Sequence, residues 1–190
     1  MLQYNEILPK KVIELDGEPY VVLAAHVFRK QQNKPVNQAK LRSLKTGKVI
    51  ERSFHASESV QEAFVERREA VFAFHKRDTF HFHSPEDKKE RFVLSPEEVG
   101  EAQRYLIPGM TATLLVYNDA IIGVELPIKV ELAVVETPPN VRGNTAQGGS
   151  KPAKLESGAE VIVPMFIEVG DVVRVNTQTG EYVERVEKAR

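Results

Sequence analysis

Lys151-Pro152-Ala153-Lys154-Leu155-Glu156-Ser157-Gly158-Ala159-Glu160-Val161-Ile162-Val163-Pro164-Met165-Phe166-Ile167-Glu168-Val169-Gly170 places alternation, turn residues and a strand stop in one short run. Ala159, Val161 and Val163 alternate with Glu160 and Ile162, so one face is apolar and the other mixed, the period of a half-buried β-strand. Pro164 brings no N–H to a ladder and ends it. Gly158 and Gly170 bracket the segment where a tight turn or a positive φ is needed, and Asp171 opens a second turn. None of these residues is of a catalytic type. The run predicts a strand with its turns, and therefore a β domain around it.

Working outward, the same grammar recurs. Residues 172–176 and 181–186 read as strands joined by Thr177-Gln178-Thr179-Gly180, and a polar, Gly-rich loop covers 138–150. At the other end, apolar β-branched runs at 12–15 and 20–28 are joined across Asp16-Gly17, the strongest short hairpin signal in the chain. A second hairpin pairs 40–44 with 49–54 across Lys45-Thr46-Gly47-Lys48. In the middle, strands are predicted at 70–74, 80–83, 92–94, 111–117, 121–126 and 130–135. Ser95 as N-cap, Pro96 at the first helical position and Glu98 as capping-box partner predict one helix, running to about Leu106 and stopped by Pro108-Gly109. The chain is read as all-β with a single short helix.

The 190 residues contain no cysteine, which excludes disulfides and thiolate metal sites and is compatible with a cytoplasmic protein. Met1-Leu2-Gln3-Tyr4-Asn5-Glu6 has no basic start followed by an apolar run, and no stretch approaches the roughly 20 apolar residues that span a bilayer. A soluble, non-exported chain without membrane contact is expected. The formal net charge of −1 hides an asymmetry. Between His26 and Arg52 lie Arg29, Lys30, Lys34, Lys40, Arg42, Lys45, Lys48 and Arg52 against the single acid Glu51, whereas residues 65–127 carry 8 basic and 11 acidic side chains. Only the N-terminal third is suited to a dense phosphate surface.

That basic segment contains a long polar interruption between strand-like flanks, Phe28-Arg29-Lys30-Gln31-Gln32-Asn33-Lys34-Pro35-Val36-Asn37-Gln38. At about 3.3 Å per extended residue its tip would reach roughly 15–20 Å from a barrel. Core packing does not explain a cationic finger whose apex is polar throughout. His81 and His83 flank Phe82 and point to one face, but His75 is the only other histidine nearby and the carboxylates lack ligand spacing. No nucleophile elbow, phosphate-binding glycine loop or dinucleotide fingerprint occurs.

Residue by residue, Lys151, Ala153, Gly158, Val161, Val163, Pro164, Ile167 and Gly170 match the spacing that marks the bacterial elongation factor P family. Residues 135–146 (Val-Glu-Thr-Pro-Pro-Asn-Val-Arg-Gly-Asn-Thr-Ala) and 179–186 (Thr-Gly-Glu-Tyr-Val-Glu-Arg-Val) resemble the family's third domain. Residues 16–22 (Asp-Gly-Glu-Pro-Tyr-Val-Val) and 40–47 (Lys-Leu-Arg-Ser-Leu-Lys-Thr-Gly) resemble its first. The resemblance therefore covers nearly the whole chain. It implies three small barrels in series: an SH3-like, KOW-type domain over 1–64, then oligonucleotide-binding (OB) folds over 65–127 and 128–190, with the helix in the second.

The same resemblance implies a translation elongation factor, a monomer and not an enzyme, with no cofactor and no metal. Such a factor binds the ribosome beside P-site peptidyl-tRNA and relieves stalling at consecutive prolines. Proline's ring constrains its nitrogen, and ordering the peptidyl-tRNA end lowers the barrier by orientation. In the family the first-domain hairpin enters the peptidyl-transferase centre with an apical, often modified, lysine, which implies a lysine-modifying enzyme as a further partner.

Here the usual Pro-Gly-Lys-Gly apex is absent and the interval is one residue longer. Counting from His26 places the lysine position at Gln31, and counting back from Leu41 places it at Gln32. The loop tip is Lys30, Gln31, Gln32, Asn33, Lys34 and Pro35, with Lys34 the first candidate for a modified lysine and Lys30 the second. An unmodified glutamine tip is the alternative, since an amide donates hydrogen bonds unaided.

Arg29, Lys40, Arg42, Tyr182 and Arg185 are the implied tRNA and rRNA contacts. Gly143-Asn144-Thr145-Ala146 matches the family's Gly-Asp-Thr-Ala loop near the E-site mRNA codon, with Asn replacing Asp at 144. Two readings compete: a general RNA- or single-strand-binding protein with tandem OB folds, and a metal-dependent hydrolase built on His81 and His83.

Overall fold

The computed structural model describes residues 1–29, 34–139 and 149–189. They form three antiparallel sheets and one short α-helix, as the sequence predicts. By contact the residues gather into two compact units, 1–68 with 113–124 and 69–112 with 125–190.

The first sheet contains β1 (Leu2–Gln3), β2 (Val12–Leu15), β3 (Glu18–Phe28), β4 (Val36–Ser43), β5 (Val49–His55) and β6 (Ser59–Glu62), in the order β1-β6-β2-β3-β4-β5. Asp16 and Gly17 join β2 to β3 at φ +52° and +80°, the pair of positive φ values that a two-residue hairpin requires. In the β4–β5 turn the Ser43 hydroxyl accepts from the N–H groups of Lys45 and Thr46 at 3.2 and 3.0 Å. The short β1 and β6 carry no alternating signal and were not expected; their pairing of Leu2 with Val60 adds two apolar side chains to the core. That core is built on Ile7, Ile13, Val22, Ala39, Leu41 and Phe54, each large side chain contributing about 1.5–3 kcal/mol through burial.

The second sheet contains β7 (Glu66–Lys76), β8 (Thr79–His83), β9 (Arg91–Leu94), β10 (Thr111–Tyr117) and β11 (Ala120–Glu125), in the order β11-β10-β7-β8-β9. Between β9 and β10 stands α1 (Pro96–Val99). Its start is as predicted: the Glu98 N–H donates to Ser95 Oγ at 3.3 Å, and the Ser95 N–H donates to Glu98 Oε2 at 2.7 Å. Its end is not. Gly100 adopts φ +57°, ψ −139°, outside the α-helical region, so α1 stops after Val99 and continues only as a 3₁₀ turn over Gly100–Arg104.

The third sheet contains β12 (Lys129–Glu136), β13 (Ser150–Leu155), β14 (Glu160–Pro164), β15 (Val172–Asn176) and β16 (Tyr182–Glu187), in the order β14-β13-β12-β15-β16. The alternation that opened the reading holds: Ala159, Val161 and Val163 are buried while Ile162 is 62% exposed. β13 is an addition, since the segment preceding residue 159 carries Lys151, Pro152 and Lys154 and does not read as a strand. It pairs with β14 from Ser150↔Pro164 to Lys154↔Glu160 and buries Lys151, Ala153 and Leu155. Lys151 is tolerated inside because its Nζ donates to the Pro138 carbonyl at 2.6 Å.

One side chain from outside this sheet completes its core. Tyr105, just beyond the 3₁₀ turn, is buried among Leu132, Leu155, Ile167, Val173 and Val175, and Ile107 and Met110 pack against the same cluster.

Candidate nucleic-acid interface

The β3–β4 hairpin runs in continuous register from Ala24↔Lys40 to Phe28↔Val36, after Leu23 is bulged out between the pairs Val22↔Leu41 and Ala24↔Lys40. Asn37, Ala39, Leu41 and Ser43 face inward, so Gln38, Lys40 and Arg42 point outward along β4. On β3, His26 and Phe28 stack with ring centroids 6.4 Å apart. Arg29 and Lys34 lie exposed where the two strands end, with Pro35 half-buried beside them. Of the predicted contacts, Arg29, Lys34, Lys40 and Arg42 thus belong to one hairpin. Lys30, Gln31, Gln32 and Asn33 lie outside the described residues, as do Gly143, Asn144, Thr145 and Ala146.

The arm is anchored by a residue that sequence reasoning missed. Asn37 is fully buried, and its Nδ2 donates to the carbonyls of Tyr4 at 2.6 Å and Ile7 at 3.0 Å, tying β4 to the N-terminal segment. Those two bonds fix the amide's orientation and leave Oδ1 without a partner among the described residues. A lone asparagine in a polar stretch gives no sequence signal for this, because both acceptors lie about 30 residues away in the chain.

Tyr182 and Arg185 both stand on β16. Tyr182 packs against the third-sheet core, and burial pushes its hydroxyl pKa up. Arg185 is partly exposed and engaged on three sides. Its Nη1 donates to Asp171 Oδ2 at 3.2 Å and to the Phe166 carbonyl at 3.5 Å, and its guanidinium lies 5.1 Å from the Phe166 ring centroid. Asp171 is fully buried and also accepts from the N–H groups of Glu168 at 3.0 Å and Ala189 at 2.7 Å. Burial pushes the Asp171 carboxyl up, but the Ala189 and Glu168 amides and the Arg185 guanidinium outweigh it and hold the pKa below the ordinary carboxylate value.

The histidine pair is occupied otherwise. His81 stacks on Phe74 at 4.4 Å and its Nε2 sits 3.1 Å from Thr79 Oγ1; His83 Nδ1 lies 2.8 Å from the Ser84 carbonyl. Among the described residues no group of three His, Asp or Glu side chains is arranged to hold a metal, and no helix is long and apolar enough to cross a membrane.

Three family models match: the elongation factor P KOW-like domain over residues 3–60, the elongation factor P OB domain over 65–124, and the elongation factor P C-terminal domain over 130–185. The chain is 45% identical over 185 residues to elongation factor P of Dictyoglomus thermophilum, covering 97% of this chain and 100% of that protein. It is 43% identical over 186 residues to that of Carboxydothermus hydrogenoformans, covering 98% and 100%. Among solved structures it is similar in fold to translation initiation factor 5A from Methanococcus jannaschii, with a TM-score of 0.50, 13% identity, and coverage of 66% of this chain and 90% of that one.

Proposed function

The chain belongs to the elongation factor P family, and from that premise we propose that this translation elongation factor binds the ribosome beside P-site peptidyl-tRNA and speeds peptide-bond formation where consecutive prolines stall it. The observation that carries the reading is the β3–β4 hairpin, which brings Arg29, Lys34, Lys40 and Arg42 to one element, with Asn37 tying β4 to the N-terminal segment next to the loop. Its tip, 30–35, orders the CCA end of the tRNA. The contribution is orientation, which supplies several kcal/mol without a bond being made or broken by the protein.

The domains are taken as 1–64, 65–127 and 128–190, with Gly143, Asn144, Thr145 and Ala146 at the E-site codon and Tyr182 and Arg185 toward the tRNA body. Neutral Asn144 removes a charge that would repel phosphate. Lys34 is the first candidate for modification and Lys30 the second.

Translation of a reporter with three consecutive prolines tests the proposal. Added protein is expected to relieve stalling, and replacing 29–35 by a short Gly-Ser turn is expected to abolish at least about tenfold of that rate gain. No relief by the parent protein would overturn the reading. Tight, strongly salt-dependent binding to arbitrary single-stranded RNA, with no preference for ribosomes, would favour the general RNA binder instead. Fragment mass spectrometry of protein from its native host distinguishes a modified Lys34 from a modified Lys30 and from an unmodified tip.

A further inference from the structure

We propose that Asp171 and Phe166 are positioning residues that hold the Arg185 guanidinium as a preset receptor for an RNA phosphate. The inference rests on the reading above that the third domain faces RNA, and it adds two residues that neither composition nor motif points to.

An arginine on an exposed strand samples many rotamers, and fixing it on binding costs side-chain entropy. Here most of that ordering is done in the folded chain. Asp171 takes one donor of the fork through Oδ2, the Phe166 carbonyl takes a second, longer contact from the same Nη1, and the Phe166 ring lies beneath the plane. Among the described residues, the hydrogen bonds of the guanidinium are made through Nη1 alone, so Nε and Nη2 remain for a ligand. Phosphate matches the two-pronged donor geometry that remains. The Phe166 ring is itself half-exposed, so a ribose or base next to that phosphate meets an apolar shelf.

Asp171 does not simply neutralise Arg185. Two of its three donors are backbone N–H groups, from Glu168 and Ala189, so the carboxylate is already satisfied and fixed before the guanidinium is added. The acid is the rigid part and the arginine is aligned on it. The backbone bond to Ala189 also fastens the chain just past β16, so the C-terminal end of the strand bearing Arg185 is held by the same acid.

The test uses the full chain and ribosomes carrying P-site tRNA, with Kd measured for Arg185→Gln, Arg185→Lys, Asp171→Asn, Phe166→Leu and the Asp171→Asn/Arg185→Gln pair. Arg185→Gln is expected to weaken binding about tenfold, the loss of one charge-assisted phosphate contact. Arg185→Lys is expected to lose nearly as much, because an ammonium keeps the charge but cannot lie on the ring and share the fork. Asp171→Asn is expected to weaken binding several-fold, and the double variant to bind no worse than Arg185→Gln alone, since the acid acts only through the arginine.

Wild-type affinity for Arg185→Gln would remove the RNA-facing reading of Arg185 and the inference with it. Loss for Arg185→Gln with wild-type affinity for Arg185→Lys or Asp171→Asn would leave the reading intact and overturn the inference. Should Asp171→Asn fail to fold, Phe166→Leu decides: a loss of about threefold supports the shelf, and an unchanged Kd overturns it.

Discussion

Replacing Tyr105 by alanine is expected to destabilise the unit made of 69–112 and 125–190 by about 3–5 kcal/mol, the range for deleting a fully buried aromatic ring. The reason is topological. Tyr105 belongs to an irregular segment after a 3₁₀ turn, yet it is only 2% exposed and its neighbours are Leu132, Leu155, Ile167, Val173 and Val175 of the third sheet. Removing the ring leaves a cavity in the cluster that β12, β13 and β15 contribute to. Calorimetry on the full chain should show the corresponding transition lowered by roughly 10–20 °C. Tyr105→Phe, which keeps the ring, is expected to cost less than about 1 kcal/mol. An alanine variant that melts with the parent would show that the ring is not part of that core.

The second large effect is expected for Asn37→Asp, at about 3 kcal/mol or more near neutral pH. The side chain is isosteric, so packing is untouched, but Nδ2, which donates to both the Tyr4 and Ile7 carbonyls, becomes a carboxylate oxygen facing two carbonyl oxygens in a site closed to water. Burial and those acceptors would raise the folded-state pKa of the new acid above its unfolded value of about 3.9. An acid with a raised folded pKa costs little while protonated. The penalty appears as pH climbs past the unfolded pKa and grows until the folded pKa is reached. Urea denaturation at pH 4 and pH 7.5 should therefore show a deficit several times larger at the higher pH. Equal deficits at the two values would mean that the amide hydrogens are not what holds the arm.

Both residues act through partners distant in the chain, which no local sequence signal marks. Strands announced themselves where alternation met a turn of fixed chemistry, as at Asp16-Gly17 or from Ala159 to Pro164, because those signals are local and lie within a few residues. Ser95 and Glu98 fixed the helix start for the same reason. The helix end was misjudged because Gly100 reads as an ordinary interior residue until its backbone angles are known. β13 was missed since a buried lysine and a proline contradict the pattern of a strand, and what reconciles them, the Pro138 carbonyl, lies across a loop.

The site divides in the same way. That Arg29, Lys34, Lys40 and Arg42 share one hairpin was legible in their clustering, which depends on sequence neighbourhood alone. Asn37, Asp171 and Phe166 were not, because each acts through partners brought near only by the fold. Arg185 was singled out by family resemblance, but its alignment by Asp171 follows from a three-dimensional contact.

Lys151 makes a different kind of experiment interpretable. Its amine is sealed against the Pro138 carbonyl, so an amine-acylating reagent cannot meet it while the third sheet is intact. Modification at exposed lysines measures reagent access, but at Lys151 it proceeds only through an opened state, and its rate is a clock for how often the β13 stem comes apart.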